Sequence, residues 1–319
     1  MYSDLQLTMK LLPQLRALVL ATLCTSRAFA QSPADPLAEA RRQAAIGHLN
    51  EAEAAVRSYL TDHPTSADGH FLLGYVLFRE KKATESLAQF TEGAKSRRPN
   101  PTELKTVASD YVLLGAFEDA DKWFSEITKE TPDDAEIWYL LGRTKYNEGM
   151  LVEAVSSFTH ALALREKYVE AENNLGLAYY GLNKLEQAKT SYKNAIDWQG
   201  ANPNDGQPFL NLGILLMEEG DQDAAISHLT RATSLLPENP SAHERLGAAY
   251  EAKNRIAEAK VEMELAVALA PNASGIHFKL AGIYKKLGMK DQARRELEIC
   301  VKLNNTHSSH ETPNPPLQH

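Results

Sequence analysis

Asn174, Asn211, Arg245 and Lys279 follow one another at steps of 37, 34 and 34 residues. Two are amides and two are cations. An amide both donates and accepts, so it pairs with any peptide unit whatever side chains flank it. A guanidinium or ammonium next in line would meet a carboxylate. The chemistry on offer is reversible polar binding. Bond-making chemistry has no comparable signal: the chain holds no Gly-rich phosphate loop, no His-Glu-x-x-His and no Gly-x-Ser-x-Gly. Its histidines are scattered, and His307 and His310 are read as a chance pair in a polar tail. We therefore expect a non-enzymatic protein without cofactor or metal.

Residues so far apart act together only if each occupies the same place in a repeated element. Leu73-Gly74, Leu141-Gly142, Leu175-Gly176, Leu212-Gly213 and Leu246-Gly247 mark that element. Val107-Ala108 fills a skipped copy and Leu280-Ala281 continues the series. Counted from six residues before each Leu, eight units start at 33, 67, 101, 135, 169, 206, 240 and 274. The spacer Trp198 to Pro208 carries three extra residues, read as an insertion without an assigned role. A period of about 34 residues means stacked supersecondary units.

Each unit reads as two helices. Positions 4, 7, 8 and 11 form a stripe at helical spacing, as in Trp138, Leu141, Gly142 and Lys145. Positions 8 and 20 are small and position 24 is large and apolar, the pattern of a close helix pair. From this pattern we expect helix backbones to meet at Gly176. Gly176→Leu should then be disruptive and Gly176→Ala mild, since Ala108 and Ala281 stand at the same place. Position 15 is Gly or Asn in seven of the eight units, which predicts left-handed helix ends. His243 and His277 fall at position 4 and are assigned to packing.

Trp138-Tyr-Leu-Leu-Gly, Asn174-Leu-Gly-Leu-Ala-Tyr179, the small position 20, the aromatic position 24 and Pro at position 32 resemble the tetratricopeptide repeat. The resemblance covers about residues 33 to 305 and implies an all-α, right-handed α-solenoid of antiparallel helix pairs. It also implies that positions 2, 5, 9 and 12 line the concave face, with position 6 at its edge. That puts Tyr139, Arg143 and Tyr146 in the groove, with Asn147 beside them, and adds Tyr180 from the next unit. Phe71, Tyr75 and Phe78 occupy the same stripe in repeat 2, where groove and packing roles are equally supported. In some family members Asn at position 6 holds a peptide backbone, which assigns that role to Asn174 and Asn211. The family's chaperone-tail clamp is incomplete here, so that specificity is not carried over. As none of these side chains belongs to the packing stripe, removing them should leave the fold intact.

Composition narrows the partners. The formal charge is −8 and no basic stripe is visible, which argues against nucleic acid. Lys10 and Arg16, the apolar run Ala17 to Cys24 and Ala28-Phe29-Ala30 read as a secretory signal cleaved after Ala30, with Met9 an alternative start. Leu23 before Cys24 argues against lipidation, so contact with a membrane would be indirect, through partners. Cleavage leaves Cys300 as the one thiol, so no internal disulfide can form. The expected organisation is a signal peptide (1–30), a repeat array (31–305) and a disordered tail (306–319). The expected function is a periplasmic or secreted bacterial scaffold that binds protein or peptide segments. Alternatives are self-association through the C-terminal repeat in a structural assembly, or a glycan-binding or enzyme-associated module.

Overall fold

The computed structural model describes residues 35–308. The expected leader and the tail beyond Ser308, with His310, lie outside the described residues. Among the described residues there are sixteen helices and no strand. The first five are Ala38–Ala45 (α1), Leu49–Asp62 (α2), Ala67–Arg79 (α3), Ala83–Ala94 (α4) and Pro101–Leu113 (α5). Phe117–Glu130 (α6), Ala135–Asn147 (α7), Leu151–Leu164 (α8), Val169–Gly181 (α9), Leu185–Asp197 (α10) and Gln207–Glu219 (α11) follow. The last are Gln222–Leu235 (α12), Pro240–Ala252 (α13), Ile256–Leu269 (α14), Ser274–Lys286 (α15) and Lys290–Ser308 (α16). Odd-numbered helices open a repeat and even-numbered helices close it. One compact unit ends at Leu114 and a second begins at Gly115, so the boundary falls between α5 and α6.

Within each unit every helix packs on the next, and first helices also pack on first helices of the following repeat: α3 on α5, α7 on α9, α9 on α11 and α11 on α13. The all-α solenoid class is the one the period demands. Helix starts are set by side chains that accept orphan backbone N–H groups. Ser66 accepts from Gly69, Asp134 from Glu136 and Ile137, and Asn239 from Ala242. Asn100 and Glu103 form a reciprocal capping box. Helix ends are set by position 15, where Gly149 has φ 77° and Asn183 has φ 57°. Repeat 2 makes the same turn with Lys81 at φ 62°, closed by the Lys82 N–H donating to the Leu77 carbonyl at 2.9 Å. The turn geometry therefore holds even where the sequence offers no Gly or Asn.

The small residues of positions 8 and 20 and the bulky position 24 make the core. Phe124, Phe158, Tyr192, Leu229 and Met263 at position 24 are fully buried or nearly so. What faces Gly176 is a ring, not a backbone. A Cβ built there would lie 2.5 Å from the Tyr192 ring, and one at Gly142 2.7 Å from the Phe158 ring. The expectation that helix backbones meet at Gly176 is therefore corrected: the Tyr192 ring holds the space that an alanine methyl would enter. Ala281 carries its methyl in a repeat whose position 24 is Leu297, 43% exposed.

In four repeats position 4 ties the preceding loop to the first helix. The His243 ring donates from Nε2 to the Pro237 carbonyl at 3.0 Å, and Nδ1 meets Glu262 at 2.7 Å. His277 repeats this with Pro271 and Glu296, and His70 with Pro64 and Gln89. Trp138 Nε1 donates to the Pro132 carbonyl at 2.8 Å. These rings are structural braces, consistent with their assignment to packing.

Candidate peptide-binding surface

All nine predicted site residues lie on first helices of the C-terminal unit. Tyr139, Arg143, Tyr146 and Asn147 are on α7, Asn174 and Tyr180 on α9, Asn211 on α11, Arg245 on α13 and Lys279 on α15. A stack of first helices presents one position of each repeat at a regular step, which is why residues 34 apart share a face.

On α7 the Tyr139 ring is half-buried between Phe158 (6.1 Å) and Tyr168 (5.1 Å). Arg143 is exposed and covers that ring at 5.7 Å. Burial raises the Tyr139 phenol above its ordinary pKa, with Arg143 opposing. Tyr146 is half-buried against the cluster of Ala154, Phe158, Leu175 and Ala178, whereas Asn147 is exposed. Tyr139 and Tyr146 thus contribute packing as well as surface.

The position-6 row behaves differently from its sequence reading. Asn174 donates to the Glu170 carbonyl of its own helix at 2.7 Å. Asn211 donates to the Asn173 side chain at 2.9 Å, bridging α11 to α9. The Lys279 ammonium pairs with Glu244, bridging α15 to α13. Arg245 is exposed and, among the described residues, is held by no ion pair; it acts electrostatically on the Tyr180 phenol. Tyr180 in turn donates to Glu218 at 2.5 Å, a bond that together with burial raises its pKa. Lys286 meets Glu251 at 2.7 Å one level along.

These contacts form a ladder. Position 5 of one repeat bonds position 6 of the next (Asn173 to Asn211, Glu244 to Lys279). Position 12 bonds position 13 (Tyr180 to Glu218, Glu251 to Lys286). Sequence reasoning weighed Asn173 only as a clamp position and passed over Glu218, Glu244 and Glu251. Their complementary types at adjacent positions of successive repeats were the available signal. The expectation that the nine side chains are dispensable to the fold is corrected for Tyr139, Tyr146, Tyr180, Asn211 and Lys279, which join or pack repeats. Phe71, left between groove and packing, is 3% exposed and stacked on Phe90 at 5.6 Å.

The three-residue insertion is ordered. Gln199 accepts from the N–H groups of Asn204 (3.1 Å) and Asp205 (2.8 Å) and donates to the Asp205 carbonyl (3.2 Å). Asn204 and Asp205 then line a cavity of about 420 Å³ with Glu136, Arg165, Tyr168 and Glu170. The Tyr168 phenol is pushed up to about 12, mainly by burial. Among the described residues no cluster of His, Cys, Asp and Glu could hold a metal, and no helix is long and apolar enough to cross a membrane.

Comparison with known proteins agrees with this architecture. The chain is 32% identical over 126 residues to a TPR repeat-containing thioredoxin, TTL4, of Arabidopsis thaliana, covering 40% of this chain and 18% of that protein. It is 22% identical over 242 residues to the BBSome complex member bbs-4 of Caenorhabditis elegans, covering 73% and 50%. The chain thus spans half or less of these two relatives. A crystal structure of a tetratricopeptide repeat protein from Parabacteroides merdae superposes with a TM-score of 0.62 at 18% identity, covering 82% of this chain and 96% of the other. Family models for the tetratricopeptide repeat match residues 37–101, 135–168, 169–202, 216–274 and 274–307. With more than half of its length matched in this way, the chain belongs to the tetratricopeptide repeat family.

Proposed function

We propose that this protein is a non-catalytic scaffold that holds an extended polypeptide along the first helices α7, α9, α11, α13 and α15. The carrying observation is the division of labour on that face. The ladder bonds tie α9 to α11 and α13 to α15, while Arg143, Asn147 and Arg245 are exposed beside the half-buried tyrosines. Asn174 keeps its amide oxygen for an incoming N–H. Arg143 and Arg245 supply charge for a carboxylate, and tyrosine rings give contact area at low entropy cost.

The mature protein used as bait in envelope extract tests the reading. Arg143→Ala with Arg245→Ala is expected to cut partner affinity about a hundredfold or more, as each lost charged hydrogen bond is worth roughly 1.5–3 kcal/mol. The residual binding should depend less on salt. Asn174→Ala with Asn211→Ala should also weaken capture, but with some loss of thermal stability, because Asn211 bridges two repeats. Capture at wild-type yield by the arginine pair variant would sink the proposal.

We further infer that the scaffold works outside the cytoplasm, in a bacterial envelope, on the strength of the Ala28-Phe29-Ala30 signal. N-terminal sequencing of envelope protein should begin at Gln31. A Met1 or Met9 terminus on cytosolic protein would refute export. Self-association is the second reading, favoured by Phe278, Leu297 and Val301, which stand 63%, 43% and 58% exposed on the last helix pair. Sedimentation of the mature chain as a monomer at high concentration would dismiss it.

A further inference from the structure

The N-terminal unit carries a separate cavity of about 280 Å³ between α1, α3 and α5. Phe71, Leu72 and Phe90 form its floor and Tyr75 part of its wall. The opposite wall is α5, and it is held in place. Arg97 covers the Phe71 ring at 4.7 Å and grips both Glu103 oxygens at 2.8 and 3.0 Å, with Asp68 at 2.8 Å. Glu103 also closes the capping box at the start of α5. The cavity is therefore preformed, and an occupant would not have to order it.

Three properties define that occupant. Its size is at most that of a large side chain, since 280 Å³ lies just below the range of sites for whole small molecules and has room for an aromatic ring. Its body is apolar and aromatic, to match rings that prefer offset or edge-on partners. Its charge is nil, since the charged side chains that line the cavity are already paired, Arg41 with Asp35, and Asp68 and Glu103 with Arg97. Among the uncharged polar side chains that line it, one is buried. Thr106 lines the cavity at 7% exposure, and its hydroxyl makes only a 3.5 Å contact with the Thr102 carbonyl. A good O–H···O bond is about 2.7–2.8 Å, so this buried hydroxyl is under-used.

We propose that this cavity is an anchor for a tyrosine side chain of an extended polypeptide, its ring against Phe71 and Tyr75 and its phenol hydroxyl bonded to Thr106. The anchor lies in the other unit from the surface of α7 to α15 and stands independently of it. A Phe or Leu side chain would fill the floor but leave Thr106 unanswered, and a buried polar group left unpaired is what discriminates.

N-acetyl-tyrosinamide, N-acetyl-phenylalaninamide and N-acetyl-leucinamide are the probes, titrated into the mature chain by saturation-transfer NMR. The tyrosine probe is expected to bind saturably and about tenfold more tightly than the other two. Thr106→Val should erase that preference while leaving ring binding, and Leu72→Trp should fill the cavity and abolish binding of all three. The Arg143→Ala, Arg245→Ala variant should bind the tyrosine probe as wild type, which separates this anchor from the other surface. The absence of saturable binding, or a tyrosine preference that survives Thr106→Val in a variant with a wild-type melt, would overturn the proposal.

Discussion

Raising the pH from 5 to 8 is expected to weaken the N-terminal unit by roughly 2–3 kcal/mol, and Asp110→Asn is expected to remove that loss. Asp110 on α5 is completely buried. Burial pushes its carboxyl up to about 7, and the Ser86 hydrogen bond only partly opposes this. The hydrogen count points the same way. The Ser86 hydroxyl lies 2.8 Å from the Gly74 carbonyl and 2.5 Å from Asp110 Oδ2, but has a single proton. A protonated Asp110 resolves the shortage by donating to Ser86, which then donates to Gly74. Asp110 Oδ1 is buried with no partner, a state far more costly for a carboxylate than for an acid. A folded pKa above the ordinary carboxylate value means stability is full below about pH 4. It is lost as pH rises toward about 7, for a total of about 4 kcal/mol at 1.36 kcal/mol per unit. Urea denaturation of the full chain and of Asp110→Asn at both pH values measures this, and subtraction cancels the histidines common to both. Equal pH dependence in the two proteins would show that Asp110 is not the source.

The period, the helix pairs and the left-handed position 15 were legible because they depend on local spacing and residue type. Asn183 and Gly149 announce their own conformation. Lys81 does not, and only the requirement that α3 stop where its counterparts stop reveals it. The position-4 histidines could be assigned to packing by register alone. The site was legible as a face and not as a set of contacts. That Asn211 turns to Asn173 and Lys279 to Glu244 depends on how far each first helix is offset from the next. No single repeat encodes that offset. Asp110 was illegible for a related reason: its burial arises where α3, α4 and α5 converge, and nothing about a lone aspartate in a helical stripe signals a neutral acid. The cavity above Phe71 likewise needs three helices from three repeats before it exists.

Gly176→Leu is expected to destabilise the C-terminal unit by about 3 kcal/mol or more, and even Gly176→Ala by roughly 1–2 kcal/mol. Alanine normally gains up to about 1 kcal/mol over glycine inside a helix. That gain should appear at Gly282, in the middle of α15, where an added Cβ meets nothing within 4 Å. At Gly176 the added Cβ would stand 2.5 Å from Tyr192 Cε1 and 2.7 Å from Cδ1. Tyr192 is 1% exposed, so the ring has no solvent side to retreat to. A planar ring cannot bend away as a flexible chain can, and a packed interior transmits the strain. Repeat 7 offers the comparison. There the Cβ on Gly247 would meet the Met263 side chain at 3.0 Å, and methionine can turn about three bonds. Tyr192→Met should accordingly recover part of the stability lost in Gly176→Ala, although Tyr192→Met alone should be destabilising. Thermal melts of Gly176→Ala, Gly282→Ala and the double variant decide the matter, since one substitution should carry opposite signs at two glycines of the same unit. If both alanine variants melt higher than wild type, position 8 is not the notch for position 24, and the register assigned to every repeat must move.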